Sequence, residues 1–264
     1  MLALERRNLI LEKLQEDKKV VVSLLSRQFG VSEETIRRDL EKLEADGFAI
    51  KSYGGAVLNE NSNVDMPFGI RKNKNVSAKQ KIAELAAKLV DDDDQIMLDA
   101  STTAVFIARA LKQKSRLTVV TNSIEVLLEL ADISGWNVIS TGGKLKEGYL
   151  ALLGYNAQVG VERYCADKLF LSCKGLDIFR GFMDSQEAFA QVKQSMIRSA
   201  REIYLVVDNS KFEQGAFCKI GDFGILSGII TDREPEREWL EFFREQGIRC
   251  YYPRNEDISK KGEN

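Results

Sequence analysis

The sequence contains no histidine among its 264 residues. That absence removes the commonest general base, the commonest metal ligand and the histidine of a Ser-His-Asp arrangement. An enzyme built from this chain would need Asp, Glu or Lys as its base. The sequence therefore predicts neither a metal site nor a bound cofactor.

Cysteine is scarce and dispersed. The four cysteines are Cys165, Cys173, Cys218 and Cys250, and no two of them form a C-x-x-C pair. This spacing favours neither a disulfide framework nor a zinc knuckle. We interpret the four residues as isolated small apolar side chains.

Long hydrophobic runs are missing too. No stretch approaches the roughly 20 consecutive apolar residues of a membrane span, and the start of the chain lacks the core of a signal peptide. We expect a cytoplasmic protein with no membrane partner. The formal net charge of -2 gives no global basic signal. Any affinity for nucleic acid must therefore come from the local placement of charge.

The length exceeds the usual size of one domain, and residues 1–58 have the pattern of a small helical domain. Apolar residues recur at helical spacing in residues 4–15 and again in 22–29. Gly30 then supplies the permissive backbone of a tight turn, and Ser32 is placed to cap a third helix. This order predicts a helix-turn-helix.

The third helix has two different faces. Ile36, Leu40 and Leu43 form an inward stripe, while Thr35 and Arg38 lie on the opposite stripe, as in a helix that enters a major groove. An arginine there could bind a guanine edge or hold a phosphate, and both roles stay open. The predicted DNA-contacting residues of the whole domain are Ser32, Glu34, Thr35, Arg37, Arg38, Lys42, Lys51 and Tyr53.

A two-stranded wing is predicted after this helix. Residues 48–53 alternate, Gly54-Gly55 forms a turn, and residues 56–58 supply the second strand. Lys51 on this wing can reach a neighbouring phosphate. Any single basic residue here could equally be an ordinary solvated charge. The combination of helices, glycine turn and wing nevertheless predicts a DNA-binding domain.

Two motifs in this domain resemble those of a known protein family. Residues 30–43, which read G-V-S-x-x-T-I-R-R-D-L-x-x-L, and Gly54-Gly55-Ala56 resemble the N-terminal signature of DeoR-family regulators of sugar metabolism. The resemblance covers the whole N-terminal domain and implies a winged helix-turn-helix that binds operator DNA. Tyr53 departs from the family pattern, which usually has histidine before the two glycines.

The rest of the chain has a different organisation. Residues 59–76 are polar, contain Pro67 and are predicted to be a linker, and residues 255–264 are predicted to be a disordered tail. Residues 77–254 alternate β-type and helical runs, which predicts an α/β domain with a mainly parallel sheet. The predicted strands are 95–99, 117–121, 137–140, 168–172, 203–208, 228–231 and 248–251.

Polar residues follow the first three predicted strands. Hydroxyl groups and exposed backbone N–H groups at such junctions could hold an anion such as a sugar phosphate, because ligands gather at the carboxyl ends of parallel strands. Each segment alone could be a routine Ser/Thr helix cap. The residues are Asp99, Ser101, Thr102 and Thr103, then Thr121, Asn122 and Ser123, then Gly142, Gly143 and Lys144.

Later segments add charged candidates for the same site. Carboxylates suit sugar hydroxyls and lysines suit phosphate. Lys193 is interpreted as a possible surface charge only, and the acidic run 91–94 as a solvated turn rather than a metal loop. The further effector-binding candidates are Lys174, Gly175, Asp177, Asp184, Glu187 and Lys211.

The wider pattern of these segments, including Asp208-x-Ser210-Lys211, resembles the DeoR sensor domain along nearly its full length. That domain is similar in fold to ribose-5-phosphate isomerase, which implies a phosphorylated sugar as effector. Ser101 stands where the family often has glycine, and Lys174 where a small residue is common.

Two functions are compatible with these features. The first is a DNA-binding repressor of carbohydrate genes, not an enzyme, which acts as a homodimer or homotetramer under control of a phosphorylated sugar. The second is a sugar-phosphate isomerase with an appended helical domain, because Lys, Asp and Glu could carry out an enediol isomerisation. The predicted DNA-binding domain favours the first.

Overall fold

A computed structural model describes residues 1–59 and 66–253. The chain divides into two compact units, Met1–Lys74 and Asn75–Asn264. We call them the head and the sensor. The predicted disordered tail and the middle of the predicted linker lie outside the described residues.

The head is a winged helix-turn-helix. Its sheet is antiparallel with strand order β1-β3-β2, so the wing has a third strand that the sequence pattern did not indicate. The elements are α1 (Ala3–Asp17), β1 (Lys19–Val21), α2 (Val22–Phe29), α3 (Glu33–Ala45), β2 (Ala49–Ser52), β3 (Gly55–Leu58) and α4 (Phe68–Asn73).

Packing of apolar stripes explains the head. Ile10 and Leu14 of α1 meet Ile36 and Leu40 of α3 in one buried cluster, as the helical spacing predicts. Gly55 faces β1 so closely that an added Cβ would lie 2.0 Å from the carbonyl oxygen of Val20. Only glycine allows this approach, and so the glycine pair serves the strand pairing as well as the turn.

The prediction that residues 59–76 form an irregular linker is wrong over Phe68–Asn73, which form α4. Ile70 of this helix is buried in the head core, and Arg71 Nε donates to the Met66 carbonyl at 2.9 Å. Burial of an apolar side chain against the head stabilises a short helix that the local polar composition disfavours. The head therefore extends beyond the predicted boundary at residue 58.

The sensor is built on a seven-stranded, entirely parallel sheet of order β15-β14-β12-β9-β4-β5-β6, and each of the seven predicted strands is confirmed. Its strands are β4 (Gln95–Leu98), β5 (Thr118–Thr121), β6 (Asn137–Ser140), β9 (Ala166–Leu171), β12 (Ala200–Val206), β14 (Gly228–Ile230) and β15 (Arg249–Tyr251).

Helices and two small antiparallel sheets complete the sensor. The helices are α5 (Val76–Ala87), α6 (Thr102–Ala110), α7 (Ile124–Leu130), α8 (Tyr155–Glu162), α9 (Glu187–Arg198) and α10 (Arg237–Glu245). The small sheets are β7 (Lys144–Lys146) with β8 (Ala151–Leu153), and β10 (Gly175–Asp177) with β11 (Gly181–Asp184) and β13 (Cys218–Gly221). These short strands escaped prediction because three or four residues carry little period-2 signal.

Candidate functional site

Helix α3 begins with a regular cap. Ser32 Oγ accepts a hydrogen bond from the Thr35 backbone N–H at 3.2 Å and lies 2.9 Å from Thr35 Oγ1. This cap satisfies one of the orphan donors of the first turn and fixes where the helix starts. Ser32 and Thr35 are therefore engaged with each other, and they sit at the helix end that the sequence assigns to the major groove.

The two arginines of α3 point into solvent. The side chains of Arg37 and Arg38 are 54% and 76% exposed. Arg37 Nη2 lies 2.6 Å from Glu33 Oε2, and Arg38 Nε lies 3.3 Å from Glu34 Oε1. Exposed ion pairs at this spacing contribute about 0.3–0.5 kcal/mol, so either arginine can exchange its glutamate for a phosphate or a base at small cost.

The remaining predicted basic and aromatic residues of the head lie on α3 and on the wing. Lys51 of β2 places its Nζ 3.2 Å from Glu41 Oε1 of α3, and Lys42 pairs with Asp46 at 3.0 Å. Tyr53 lies in the turn between β2 and β3, with its side chain fully exposed. The structure thus ties β2 of the wing to α3 through an ion pair between Lys51 and a glutamate of the helix.

Asp39 is a residue whose importance the sequence analysis missed. It is 4% exposed, and its carboxylate pairs with Arg6 of α1, itself 7% exposed. Arg7 approaches the same carboxylate at 3.9 Å. Its spacing could have indicated its burial, since Asp39 is three residues after Ile36 and four before Leu43 on the buried stripe. This pair anchors α3 to α1 from inside the head.

In the sensor, the predicted effector residues follow adjacent strands at one edge of the sheet. The registers pair Leu98 of β4 with Thr121 of β5 on one side and with Phe170 of β9 on the other. Asp99, Asn122 and the segment after β9 therefore lie side by side at the carboxyl edge. We call this region the strand edge.

Asp99 lies at the centre of the strand edge and is 1% exposed. Its Oδ1 accepts from the Ser101 N–H at 3.1 Å, and its Oδ2 accepts from the Ser172 N–H at 2.9 Å. The carboxylate thus ties the turn after β4 to the end of β9. Ser172 is a further site residue that the sequence analysis did not name.

The interpretation of Lys193 as a surface charge is wrong. This residue of α9 is 8% exposed, its Nζ donates to Asp184 Oδ2 at 2.6 Å and to the Ser172 carbonyl at 2.7 Å, and it lies 3.5 Å from Asp99 Oδ2. Burial alone would lower the pKa of Lys193, but the carboxylates of Asp184 and Asp99 outweigh it and raise that pKa above its ordinary value. The strand edge therefore holds a permanently charged lysine between two carboxylates.

The same environment affects Cys173, the residue after Ser172. Burial raises the pKa of its thiol to about 12, although Lys193 acts in the opposite direction. The thiol stays neutral at physiological pH and behaves as a packed apolar group. For Cys173 this agrees with the interpretation of the cysteines as isolated small apolar side chains, whereas Cys165 is exposed.

The hydroxyl-rich turns are ordered by internal hydrogen bonds. Ser101 Oγ caps α6 by accepting from the Ala104 N–H at 3.1 Å, and Ser123 Oγ caps α7 by accepting from the Val126 N–H at 3.2 Å. Thr121 Oγ1 donates to the Leu98 carbonyl at 2.7 Å. Thr102 and Thr103 are buried in the first turn of α6. The serines act as caps, and the first turn of α6 retains the backbone donors of a helix N-terminus.

Three predicted glycines have structural roles. Gly142 and Gly143 adopt positive φ of 69° and 116°, and a Cβ on Gly143 would lie 2.8 Å from the Leu153 carbonyl oxygen. A Cβ on Gly175 would lie 2.2 Å from the Gln214 carbonyl oxygen. Close backbone packing, without any ligand, is enough to require glycine at 143 and 175.

The outer candidates are less closely tied to Asp99. Asp177 Oδ1 accepts from the N–H groups of Phe179 and Arg180, both at 2.9 Å, and so stabilises the turn between β10 and β11. Glu187 is exposed and accepts from Gln191 at 3.0 Å. The other two are Lys144, exposed on β7, and Lys174, partly buried after Cys173.

A second part of the strand edge surrounds Asp208, which follows β12. Its Oδ1 accepts from the Ser210 N–H at 3.0 Å and from Asn75 Nδ2 at 3.1 Å. Lys211 ends the short turn 209–211. Asn75 is the first residue of the sensor and has a left-handed backbone with φ of 53°. This hydrogen bond therefore links the first residue of the sensor to the strand edge.

The acidic run 91–94 forms a turn held by ion pairs. Arg116 binds Asp93 through two nitrogens at 2.6 and 2.7 Å, and the hydrogen bonds and charge of Arg116 hold the pKa of Asp93 below its usual range. Lys168 donates to Asp94 at 2.6 Å, and both of these side chains are largely buried, so this half of the turn is not solvated as expected.

Across residues 1–59 and 66–253 no cluster of His, Cys, Asp and Glu is arranged to hold a metal ion. In the same residues no helix has the length and apolar character to span a membrane.

Comparisons with known proteins agree with this division. Residues 6–62 match the DeoR-like helix-turn-helix domain, and residues 74–233 match the DeoR C terminal sensor domain. The uncharacterized HTH-type transcriptional regulator YulB of Bacillus subtilis is 42% identical over 88% of this chain and 90% of its own. A putative aga operon transcriptional repressor of Escherichia coli O157:H7 is 31% identical over 92% of this chain and 91% of its own.

The structure is also similar to ribose 5-phosphate isomerase A from Methanocaldococcus jannaschii, with a TM-score of 0.37 and 19% identity over 51% of this chain and 53% of that one. The two domain matches together with the identity to regulators favour a regulator over the isomerase alternative. The chain belongs to the DeoR family of DNA-binding transcriptional regulators.

Proposed function

We propose that this regulator represses carbohydrate-metabolism genes and releases operator DNA when its sensor binds a phosphorylated sugar. The observation that carries the proposal is the presence, in one chain, of a head helix with exposed arginines and of a buried, charged strand edge in the sensor. The relative named as an operon repressor supports the sign of regulation.

In this proposal, α3 enters the major groove with Thr35, Arg37 and Arg38 foremost. Lys42, Lys51 and the exposed Tyr53 contact the sugar-phosphate backbone beside the groove. The glutamates that pair with Arg37 and Arg38 keep the head close to electrically balanced when it is off DNA. Binding therefore depends on exchange of these local ion pairs, and the affinity should fall with salt.

The strand edge offers both halves of a phosphorylated sugar a fitting partner. The phosphate would bind at the N-terminal turn of α6, where Thr102 and Thr103 combine helix N–H groups with hydroxyls. The carboxylates of Asp99 and Asp184, held in place by Lys193, would accept hydrogen bonds from sugar hydroxyls. Lys211, after β12, would add a cation for the phosphate.

Asn75 offers a route from the effector to the head. Its side chain bonds Asp208 and so does not cap α5, the helix that it precedes. A ligand that moves the turn 209–211 would change this hydrogen bond at the residue that directly follows the head. The effector can act only through its different affinity for the DNA-bound and free conformations, typically a coupling of about 1–3 kcal/mol.

We further propose a homodimer or homotetramer, because paired heads reading two half-sites give a helix-turn-helix protein its specificity. In that arrangement the half-sites lie about one or more helical turns apart, at multiples of roughly 10–10.5 base pairs. Static light scattering of the full chain measures the assembly directly, and a monomer at micromolar concentration would contradict this part of the proposal.

The decisive experiment measures the binding of DNA in the absence and presence of phosphorylated sugars. A labelled duplex from the promoter of the gene's own operon is titrated with the protein by fluorescence anisotropy, alone and with a panel of phosphorylated sugars. We expect tight, salt-dependent binding that at least one sugar phosphate weakens about 5- to 150-fold. An isomerase assay with the same sugars is run in parallel. Turnover without DNA binding would reject the proposal in favour of the enzyme.

A further inference from the structure

The side chain of Asn122 has a buried atom that lacks a hydrogen-bond partner, a feature that it shares, in the described residues, with Thr231 after β14. It is 3% exposed, and its Oδ1 is buried with no hydrogen-bond partner in the described part of the chain. The adjacent Thr121 and Ser123 both use their hydroxyl oxygens within the protein. A buried acceptor without a partner costs about 1–3 kcal/mol, so its retention calls for an explanation.

The orientation of this amide is fixed by its surroundings. Nδ2 donates to the Leu152 carbonyl of β8 at 3.0 Å, and the Leu152 N–H donates back to the Asn122 carbonyl at 2.8 Å. Exchanging the amide's oxygen and nitrogen would set two oxygens against each other across that contact, and so the unpartnered atom is the acceptor. Strand β4 ends beside Asn122, which makes Asp99 its neighbour across the sheet.

An acceptor cannot serve a phosphate, which at neutral pH offers almost only acceptor oxygens. A sugar hydroxyl is the complementary partner because it brings its own proton. We propose that Asn122 reads one hydroxyl of the effector through Oδ1 and thereby selects among sugar phosphates, while the first turn of α6 holds the phosphate. This inference rests on the proposed function of the strand edge and reassigns Asn122 from phosphate binding to sugar selection.

The chemistry predicts selectivity more than affinity. A site built to bond a hydroxyl discriminates strongly against ligands that lack it, because its buried polar group is then left unpaired. Removing the acceptor should therefore weaken the binding of the sugar phosphate that fits the site and leave the binding of inorganic phosphate unchanged. In the unliganded protein the same change removes an unpaired acceptor along with one hydrogen bond to Leu152, so thermal stability should change little.

The test compares Asn122→Ala with Asn122→Leu, which is closer to the amide in volume. Isothermal titration calorimetry on the full chain uses ribose 5-phosphate, glucose 6-phosphate, glucosamine 6-phosphate and inorganic phosphate as probes. We expect the best wild-type sugar phosphate to bind both variants roughly 5- to 10-fold more weakly, equivalent to one net hydrogen bond. Binding of inorganic phosphate should stay within about twofold by the same reasoning.

Ser195→Ala is the control, because it removes a hydrogen bond made by another buried polar side chain of the sensor: Ser195 Oγ donates to Oε1 of the exposed Glu162 at 2.9 Å. It should lower stability without affecting any of the four ligands. An equal loss for sugar phosphate and inorganic phosphate, or no loss at all in the Asn122 variants, would overturn the inference while the proposed function stands. Wild-type protein that binds no sugar phosphate better than inorganic phosphate would overturn both.

Discussion

The exposed face of α3 in the head and the strand edge of the sensor use the same kinds of charged side chains in opposite environments. In the head, Arg38 and Glu34 form an ion pair that water surrounds, with both side chains more than half exposed. In the sensor, Lys193 and Asp184 form a pair with side chains about one-tenth exposed. Exposed pairs are weak and exchangeable, whereas a buried pair cannot lose one partner without a large penalty. The exposed face of α3 is thus suited to changing partners and the strand edge to holding a fixed geometry.

The strongest test of this contrast removes the buried cation. Lys193→Met leaves Asp99 and Asp184 buried without compensation, so we expect the sensor to lose about 3–5 kcal/mol of its free energy of unfolding at pH 7. Lys144→Met, at an exposed position on β7, should change it by less than about 0.5 kcal/mol. Urea denaturation at pH 7 measures both. A loss at Lys193 as small as that at Lys144 would refute the contrast.

The free energy of unfolding should depend on pH in a direction that the pKa of Lys193 sets. In the wild type, Lys193 has a raised pKa, so its stabilising effect is fully present below the unfolded-state pKa of about 10.4 and is lost as the pH rises through the folded value. Denaturation of the wild type should therefore show no loss from Lys193 between pH 6 and 9.

The next largest effect concerns the exposed arginine. Arg38→Ala should weaken operator binding by about 1–3 kcal/mol if the side chain reads a base, with a free energy of unfolding unchanged within about 0.5 kcal/mol. If Arg38 holds a phosphate, the affinity should fall equally for operator and scrambled DNA. The slope of the logarithm of the binding constant against the logarithm of the salt concentration should then decrease in magnitude by about one. Anisotropy titrations on operator and scrambled duplexes across salt concentrations separate these roles. Unchanged binding to both duplexes would exclude Arg38 from the interface.

A smaller effect is expected where the two units join. Asn75→Gly removes the hydrogen bond to Asp208 while tolerating the left-handed backbone at this position. Operator affinity and sugar-phosphate affinity should each persist, but the coupling between them should fall by about 0.5–2 kcal/mol. Asn156→Gly, at an exposed asparagine of α8, is the control. The coupling is read from operator titrations with and without the effector, and an intact coupling in Asn75→Gly would remove this residue from the route.

The smallest effect belongs to the exposed pair between Arg37 and Glu33. A double-mutant cycle with Ala at both positions should give an interaction energy of about 0.3–0.5 kcal/mol that vanishes in 1 M salt. The cycle for the buried pair of Arg6 and Asp39 should give several times more and persist in salt, and urea denaturation measures both cycles. Equal values for the two cycles would show that burial does not separate these ion pairs.

The strands of the parallel sheet were predictable from local pattern alone. All seven were identified as short apolar runs between turn residues, although β6 and β15 at the two sides of the sheet are only partly buried. The capped start of α3 was also evident, because Ser32 precedes a strong helical stripe. Strand β1 was not, since its three residues gain a role only by pairing with β3.

The site was predictable in its location but not in its electrostatics. Asp99 and Asn122 follow strands, so the topology of a parallel sheet was enough to place them at one edge. The burial of Lys193 and Asp39 depends on which helix face packs inward against residues distant in sequence. Nor could sequence tell that Gly143 and Gly175 face a carbonyl oxygen at close range. Long-range packing therefore decided the roles that local pattern left open.

The parallel sheet also bears on the order in which the chain acquires structure during synthesis. Its strand β4 pairs with the central strand β9, whose residues are synthesised after those of α5 to α8, and β9 in turn pairs with β12. The buried core of the head is formed by residues between Ile10 and Ile70. Because ribosomes release the N-terminal part first, a nascent chain can complete its DNA-binding unit before the unit that controls it exists.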